Sequence, residues 1–358
     1  MPAISKTGPS LFLGIELGID QLRASIVDDT LELVGVECVD FDSELPEYKY
    51  AYMAGNLHGH TDRHSNTGHR VEFLRLPEKL TQRPSRCGSR DLVSLIFTTY
   101  ALRPLLHSER NQFSWTFDIH RIWKLPDVPQ HTNHVLDTLL EKLHRNYDLT
   151  KIKAIGGSAQ HALVWWKSTT VPSLSSLDPH LPLHQHFPSQ MFSLPNTPTA
   201  QDTSSQTHAL SIEAFLGGPD HMAARVGICA NASMVAAQML RVRETWPQDV
   251  WARTGRIQLA SAFLASLISG KWTSMGDTEA CATGAWVHSA NQLALPTGQG
   301  YWDEGVLDII GGSREEGRRV RGWLGDVDAS GGSRRSGNVS RYLVDRYGFD
   351  PGTLGSIL

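Results

Sequence analysis

Apolar and polar positions alternate from Leu11 to Val39, in three runs, LFLGIELG, LRASIVDD and LELVGVECV, divided by short polar turns. Period-two alternation rich in β-branched residues predicts strands, and three of them in succession predict an antiparallel meander. After FDSELPEY the periodicity stops, and residues 49–131 show histidines, arginines, prolines and isolated apolar runs with no sustained repeat. A helical pattern then appears, with Leu136, Leu139, Leu140 and Leu143 on one face of VLDTLLEKLHRNY, followed by the strands KIKAIG and ALVWW. The Ser/Pro/Thr/His-rich residues 168–200 are expected to be a long surface loop. Three helices follow by pattern: Ser205 to Leu216, Ala232 to Glu244 and Ile257 to Ile268, the first and last stopped by Gly217-Gly218 and Gly270. Beyond Asn291 the chain is rich in glycine and arginine until a short segment from Val339 to Tyr347, and no internal repeat is evident.

Composition narrows the class. With 358 residues, of which 40% are hydrophobic, the chain is long enough for two domains with real cores. A formal charge of −4 gives no electrostatic case for nucleic acid or an anionic membrane as partner. The N-terminal MPAISKTGPS has no apolar signal core, and runs such as Ala260 to Ile268 fall short of a membrane span. Cys38, Cys87, Cys229 and Cys281 are scattered without CxxC spacing, so reduced thiols and a cytoplasmic location are expected.

Several residues could carry chemistry. Gln160-His161 ends a strand, and an amide beside an imidazole offers the donors and acceptors that a polyol needs; the same pair also suits an ordinary strand edge. Asp202, just ahead of Ser204-Ser205, can equally cap the helix that begins there. His58, His60, His64 and His69 with Asp62 have no scaffold for a metal, and Gly311-Gly312 and Gly331-Gly332 lack the context of a phosphate loop. Arg314, Arg318, Arg319, Arg321, Arg334 and Arg335 read as a solvated face.

Taken in order, the strings LFLGIELGIDQLRASIVDDTLELV, VDFDSELPEY, LDTLLEKL, IGGSAQHALVWW, QDTSSQ with a following LGG, RIQLASAFLASLISGKW and SRYLVDRYGFDP resemble the D-xylulose kinases of the FGGY carbohydrate kinase family, fungal and animal type. The resemblance covers residues 11–48 and 135–353. It implies an α/β, actin-like (ribonuclease H-like) ATPase fold with two domains, the sugar held mainly by the first and ATP mainly by the second, with Mg²⁺ as the accompanying metal. It further implies ATP-dependent phosphorylation of D-xylulose to D-xylulose 5-phosphate, with Asp202 as general base and Gln160, His161, Gln201 and Glu279 as sugar-side contacts. Glu16, Gly18 and Gln21 in the first hairpin would face the nucleotide phosphates, with Glu16 near the metal. Glu16 stands where the family has aspartate, and Gly276-Asp277-Thr278-Glu279 stands where it has D-x-S-D. Of the family's R-F-T-G-P-Q only Gln238 is kept, and Ala159 and Ala162 flank Gln160-His161 in place of glutamine and glycine.

The expected organisation is a sugar-binding domain from residues 11–48 and 133–290, an irregular, poorly ordered insertion at 49–132, and a remnant of the connection to the second domain at 291–358. In the family the chain runs on after the YGF segment into that second, ATP-binding domain, which is here expected to be mostly missing. A second functional class therefore stands beside the kinase: a catalytically inactive sugar-binding or interaction remnant. The sequence does not set an oligomeric state.

Overall fold

The computed structural model describes residues 10–18, 20–44, 128–194, 197, 202–287, 300–328 and 335–357. Residues 49–127 of the irregular stretch, including the four spaced histidines, lie outside the described residues, as does Gln201. The expected meander is present as β1 (Leu11–Leu17), β2 (Gln21–Asp28) and β3 (Leu33–Asp40), antiparallel in sequence. Alternation sets which face is buried: Leu11, Leu13, Ile15 and Leu17 of β1 and Leu22, Ala24 and Ile26 of β2 all point into one core. A one-turn helix, α1 (Phe41–Glu44), closes the meander.

The long helix α2 (Val128–Asn146) begins earlier than its leucine pattern announces and lays Val135, Leu136, Leu139, Leu140 and Leu143 on the same core. It feeds β4 (Ile152–Ala159), which pairs in parallel with β1, as α2 provides the crossover that a parallel neighbour requires. Two strands from the end of the chain complete this sheet: β12 (Arg335–Asn338) and β13 (Leu354–Ile357), separated by α12 (Arg341–Tyr347), give the order β12-β13-β4-β1-β2-β3. Because β13 also runs parallel to β4, the carboxyl ends of β1, β4 and β13 lie along one edge.

A second, three-stranded antiparallel sheet has β5 (Leu163–Lys167) between β6 (Phe192–Leu194) and β7 (Thr254–Leu259). Strand β5 is buried on both faces: Val164 and Trp166 belong to the core under the first sheet, Leu163 and Trp165 to a second core. The second core is closed by α4 (Gln206–Phe215), α5 (Pro219–Val226), α6 (Val235–Thr245) and α7 (Gln248–Arg253), and later by α10 (Glu304–Gly311) and α11 (Arg314–Leu324). Helix α8 (Ala260–Ser269) is buried from Ala260 to Ile268 and rests on β4 and β13.

Three expectations are corrected. Residues Ile257 to Leu259 are strand, not helix, because β7 pairs with β5 up to Leu163↔Leu259 and the helix starts only at Ala260. The stretch 168–200, expected to lack regular structure, contains the short helix α3 (Leu183–His186) and β6, whose Phe192, Ser193 and Leu194 are all buried. Past Asn291, the glycine- and arginine-rich stretch hides α10 and α11, capped by the Asp303 and Ser313 side chains. In α11 the exposed Arg314, Arg318 and Arg321 form the solvated side, while Gly317, Val320, Trp323 and Leu324 face inward.

Candidate sugar-kinase site

The first part of the site is the shared edge where β1 and β4 end. The Gln160 amide donates to the Leu17 carbonyl at 2.8 Å, extending the β1–β4 ladder by one step and fixing Gln160-His161 beside the first hairpin. In that hairpin the Gly18 amide donates to the Gln21 carbonyl at 2.9 Å. A Cβ at Gly18 would come within 3.2 Å of that carbonyl, which is why glycine suits the turn. Glu16 is exposed on the outer face of β1, in register with Arg23 on β2 and Ser158 on β4. Ligands of open α/β sheets gather at the carboxyl ends of parallel strands, and Glu16, Gly18, Gln160 and His161 are brought to such an edge.

Gln160 and His161 have a further peculiarity. The Gln160 Oε1 and His161 Nε2 atoms are buried and have no hydrogen-bond partner among the described residues. Burial pushes the His161 imidazole below its ordinary pKa, while a backbone contact with Ser233 and the charge of Glu279 act in the opposite direction. The ring is therefore held largely neutral near pH 7, with one nitrogen able to accept or donate according to its tautomer.

Around His161 the structure gathers residues from distant parts of the chain. The Ala260 amide donates to the Ala162 carbonyl at 2.9 Å, so the β5–β7 pairing runs one step past Leu163↔Leu259, up to the first residue of α8. The Ser261 hydroxyl donates to Glu279 Oε1, and Glu279 Oε2 accepts from the Gly276 amide at 2.8 Å. Glu279 sits in the first turn of α9 (Asp277–Ala282), which follows β8 (Met275–Gly276), and neighbouring Asp277 Oδ1 accepts from the Trp286 indole at 2.8 Å.

Asp202 is held by a different part of the molecule. Its Oδ1 accepts from the Ser204 amide at 2.8 Å, an Asx turn at the entry to α4, and its Oδ2 lies 3.5 Å from Arg241 Nη1. Both side chains are nearly buried, at 6% and 11% exposure. His161 meets the chain just before α6, at Ser233, and Asp202 meets α6 itself at Arg241, two turns into the helix. Between them lies Gln238, 1% exposed, with both amide atoms unpartnered among the described residues.

Sequence reasoning did not single out Ser261, Ser233 or Arg241. Arg241 was detectable as the charged residue in the run Val235 to Val242, all of which is buried. Ser261 comes into view only through its bond to Glu279. Among the described residues no three His, Cys, Asp or Glu side chains gather as a metal site. A single carboxylate such as Glu16 still fits Mg²⁺, which keeps most of its waters and takes remaining ligands from bound phosphates. No helix among the described residues is long and apolar enough to cross a membrane.

Comparison with known proteins connects this geometry to a family. No family model matches the chain. It is 34% identical over 218 residues to the probable D-xylulose kinase A of Neosartorya fischeri, a match covering 60% of this chain and 35% of that protein. The D-xylulose kinase A of Aspergillus niger is also 34% identical over 218 residues, covering 60% of this chain and 36% of that protein. The match thus spans about a third of the length of these curated relatives. Among solved structures, the xylulose kinase from Rhodospirillum rubrum aligns with a TM-score of 0.55 at 10% identity, covering 97% of this chain and 49% of that one. The gluconate kinase from Lactobacillus acidophilus aligns with a TM-score of 0.54 at 12% identity, covering 97% and 47%. The resemblance to D-xylulose kinases is borne out in sequence, and the fold is the actin-like α/β fold of the FGGY carbohydrate kinases.

Proposed function

We propose that this chain carries the sugar-binding side of a carbohydrate kinase of the D-xylulose kinase type, with a ketopentose as its ligand and the cytoplasm as its place of action. The observation that carries the proposal is a pair of buried atoms, Gln160 Oε1 and His161 Nε2, without a partner among the described residues and on adjacent residues at a parallel strand end. Buried polar atoms are almost always hydrogen-bonded, and two orphans side by side describe a place where a hydroxylated ligand supplies what the protein does not. The shared fold and the likeness to D-xylulose kinases supply the class of ligand.

In this reading Gln160 and His161 orient the sugar through its hydroxyls. Asp202, whose carboxylate keeps unfilled lone pairs beside Ser204 and Arg241, accepts the proton of the attacking hydroxyl. Glu16, Gly18 and Gln21 form the rim that faces the nucleotide, where Glu16 would hold Mg²⁺ through its water shell. When bound, Mg-ATP supplies the phosphoryl group, and the protein contributes placement and charge. The domain assignment belongs to the same proposal: residues 11–48 and 133–290 form the sugar side, and 291–358, whose β12 and β13 complete the first sheet and whose α10 and α11 cover the second core, form the connection from it toward a nucleotide domain.

Calorimetric titration of the purified chain with D-xylulose tests this. Saturable binding is expected, weakened about tenfold or more by Gln160→Ala and by His161→Ala, each removing one hydrogen-bonding group from a buried site. Absence of binding, or binding that both variants leave unchanged, overturns the assignment.

A further inference from the structure

The ion pair between Asp202 and Arg241 joins the entry of α4 to α6, against which α4 packs. On these two joined elements four buried side-chain atoms have no hydrogen-bond partner among the described residues: Ser204 Oγ, Ser205 Oγ, and both amide atoms of Gln238. Ser204 and Ser205 follow Asp202 in the turn into α4, and the Ser204 amide donates to Asp202 Oδ1 at 2.8 Å. Gln238 lies three residues before Arg241 on α6, so the two side chains are neighbours on the helix surface. Ser205 precedes the first turn of α4, where a serine ordinarily accepts from a helix amide, yet its side chain makes no such bond. Ser205 is 0% and Gln238 1% exposed, so bulk solvent does not reach them. Alanine and leucine would fill these positions without the cost of burying polar atoms unbonded.

We propose that Gln238, with the hydroxyls of Ser204 and Ser205, binds hydroxyl groups of an uncharged polyol beside Asp202. An amide offers donors and an acceptor, and a serine hydroxyl offers one donor and accepts as well, which together match groups that do both. The nearby carboxylate disfavours an anion and the nearby guanidinium disfavours a cation, so a neutral hydroxylated molecule suits the place. The inference rests on the reading of this chain as a sugar binder, and it extends the sugar's contacts from Gln160 and His161 to the side of the site where Asp202 stands.

The test combines urea unfolding without ligand and calorimetric titration with D-xylulose, in the wild type, Gln238→Leu and Ser205→Ala. Leucine keeps the volume of the side chain and removes both polar atoms. The urea midpoint of Gln238→Leu is expected to equal or exceed that of the wild type, because an unbonded amide is replaced by an apolar group. Its affinity for D-xylulose is expected to drop about tenfold or more, and that of Ser205→Ala about threefold. A lowered midpoint in Gln238→Leu overturns the proposal whatever the affinity, since it shows the amide bonded within the folded chain. Wild-type binding that Gln238→Leu leaves intact overturns the proposal alone, with Gln160 and His161 still carrying the sugar reading. No saturation in the wild type removes the sugar reading and this inference with it.

Discussion

At the scale of single residues, the ion pair between Asp202 and Arg241 shows how burial ranks substitutions. Burial lowers the guanidinium's pKa from its ordinary value, and Asp202 opposes that effect. Removing the carboxylate takes the Asp202 charge away from a nearly buried cation and also breaks the Asx turn to Ser204, whereas Arg241→Met leaves Asp202 bonded to the Ser204 amide. Asp202→Ala is therefore expected to cost about 2–4 kcal/mol in urea unfolding, and Arg241→Met clearly less. The reverse order would show that the pair contributes nothing and that the arginine's packing decides. Of the two readings that the sequence leaves open for Asp202, helix entry matches the bond from the Ser204 amide to one oxygen; the other oxygen faces Arg241, and the role of hydroxyl acceptor belongs to the proposed function. Gln160-His161 was legible because two polar residues follow a strand pattern directly. Glu279 was named beside that pair only through the family resemblance, and its bond with Ser261 was not legible, since it joins the first turns of two helices far apart in the chain.

At the scale of elements, β5 is the hinge of the packing. Its neighbouring tryptophans enter different cores, each with 0% exposure. The Trp166 indole donates to Gln258 Oε1 at 3.2 Å and its ring meets Phe187, Phe192, Phe263 and Trp272, whereas the Trp165 indole nitrogen is buried with no partner among the described residues. Trp166→Phe therefore loses a buried hydrogen bond as well as volume and leaves Gln258 without it, while Trp165→Phe removes an unsatisfied donor. Trp166→Phe is expected to lower stability by about 2–4 kcal/mol and Trp165→Phe by roughly 1 kcal/mol less, read from denaturant midpoints. Equal losses would show that cavity volume alone decides. The meander was legible because alternation there divides a buried face from an open one. Strand β7 was not, because Ile257 to Leu259 are buried and run straight into the buried α8, and a continuous apolar run has no period to show where a strand stops and a helix starts. Helix α11 was obscured by its composition, since its inward side includes Gly317, which sits where a Cβ would strike Asp308.

At the scale of the whole molecule, ionisable groups on both sides of neutrality oppose unfolding and bound the pH range in which the chain is stable. On the acid side, burial lowers the pKa of His161 and of His208, so in the folded state both resist protonation. A group with a lowered folded pKa contributes stability that is present above its unfolded value, here 6.5, and is lost as pH falls below it, because the unfolded chain binds the proton first. On the alkaline side, Asp137 is 3% exposed and accepts from Tyr347 at 3.0 Å and from Tyr342 at 3.5 Å, which ties α12 and, through the His184 amide at 3.3 Å, α3 to the long helix α2. Burial and then the Asp137 charge push both phenols above their ordinary value of 10, so their stabilising effect is full below pH 10 and is lost as pH rises beyond it. Thermal midpoints measured from pH 5 to pH 11 should form a plateau between roughly 6.5 and 10 with a fall on each side. His161→Gln should flatten the acid limb and leave the alkaline one unchanged. Tyr347→Phe should flatten the alkaline limb while lowering the plateau, because the Asp137 carboxylate stays buried with one donor fewer. An alkaline limb that survives Tyr347→Phe and Tyr342→Phe together would mean that the two phenols do not set the alkaline limit and that α12 is held to the body of the fold by its buried apolar side chains.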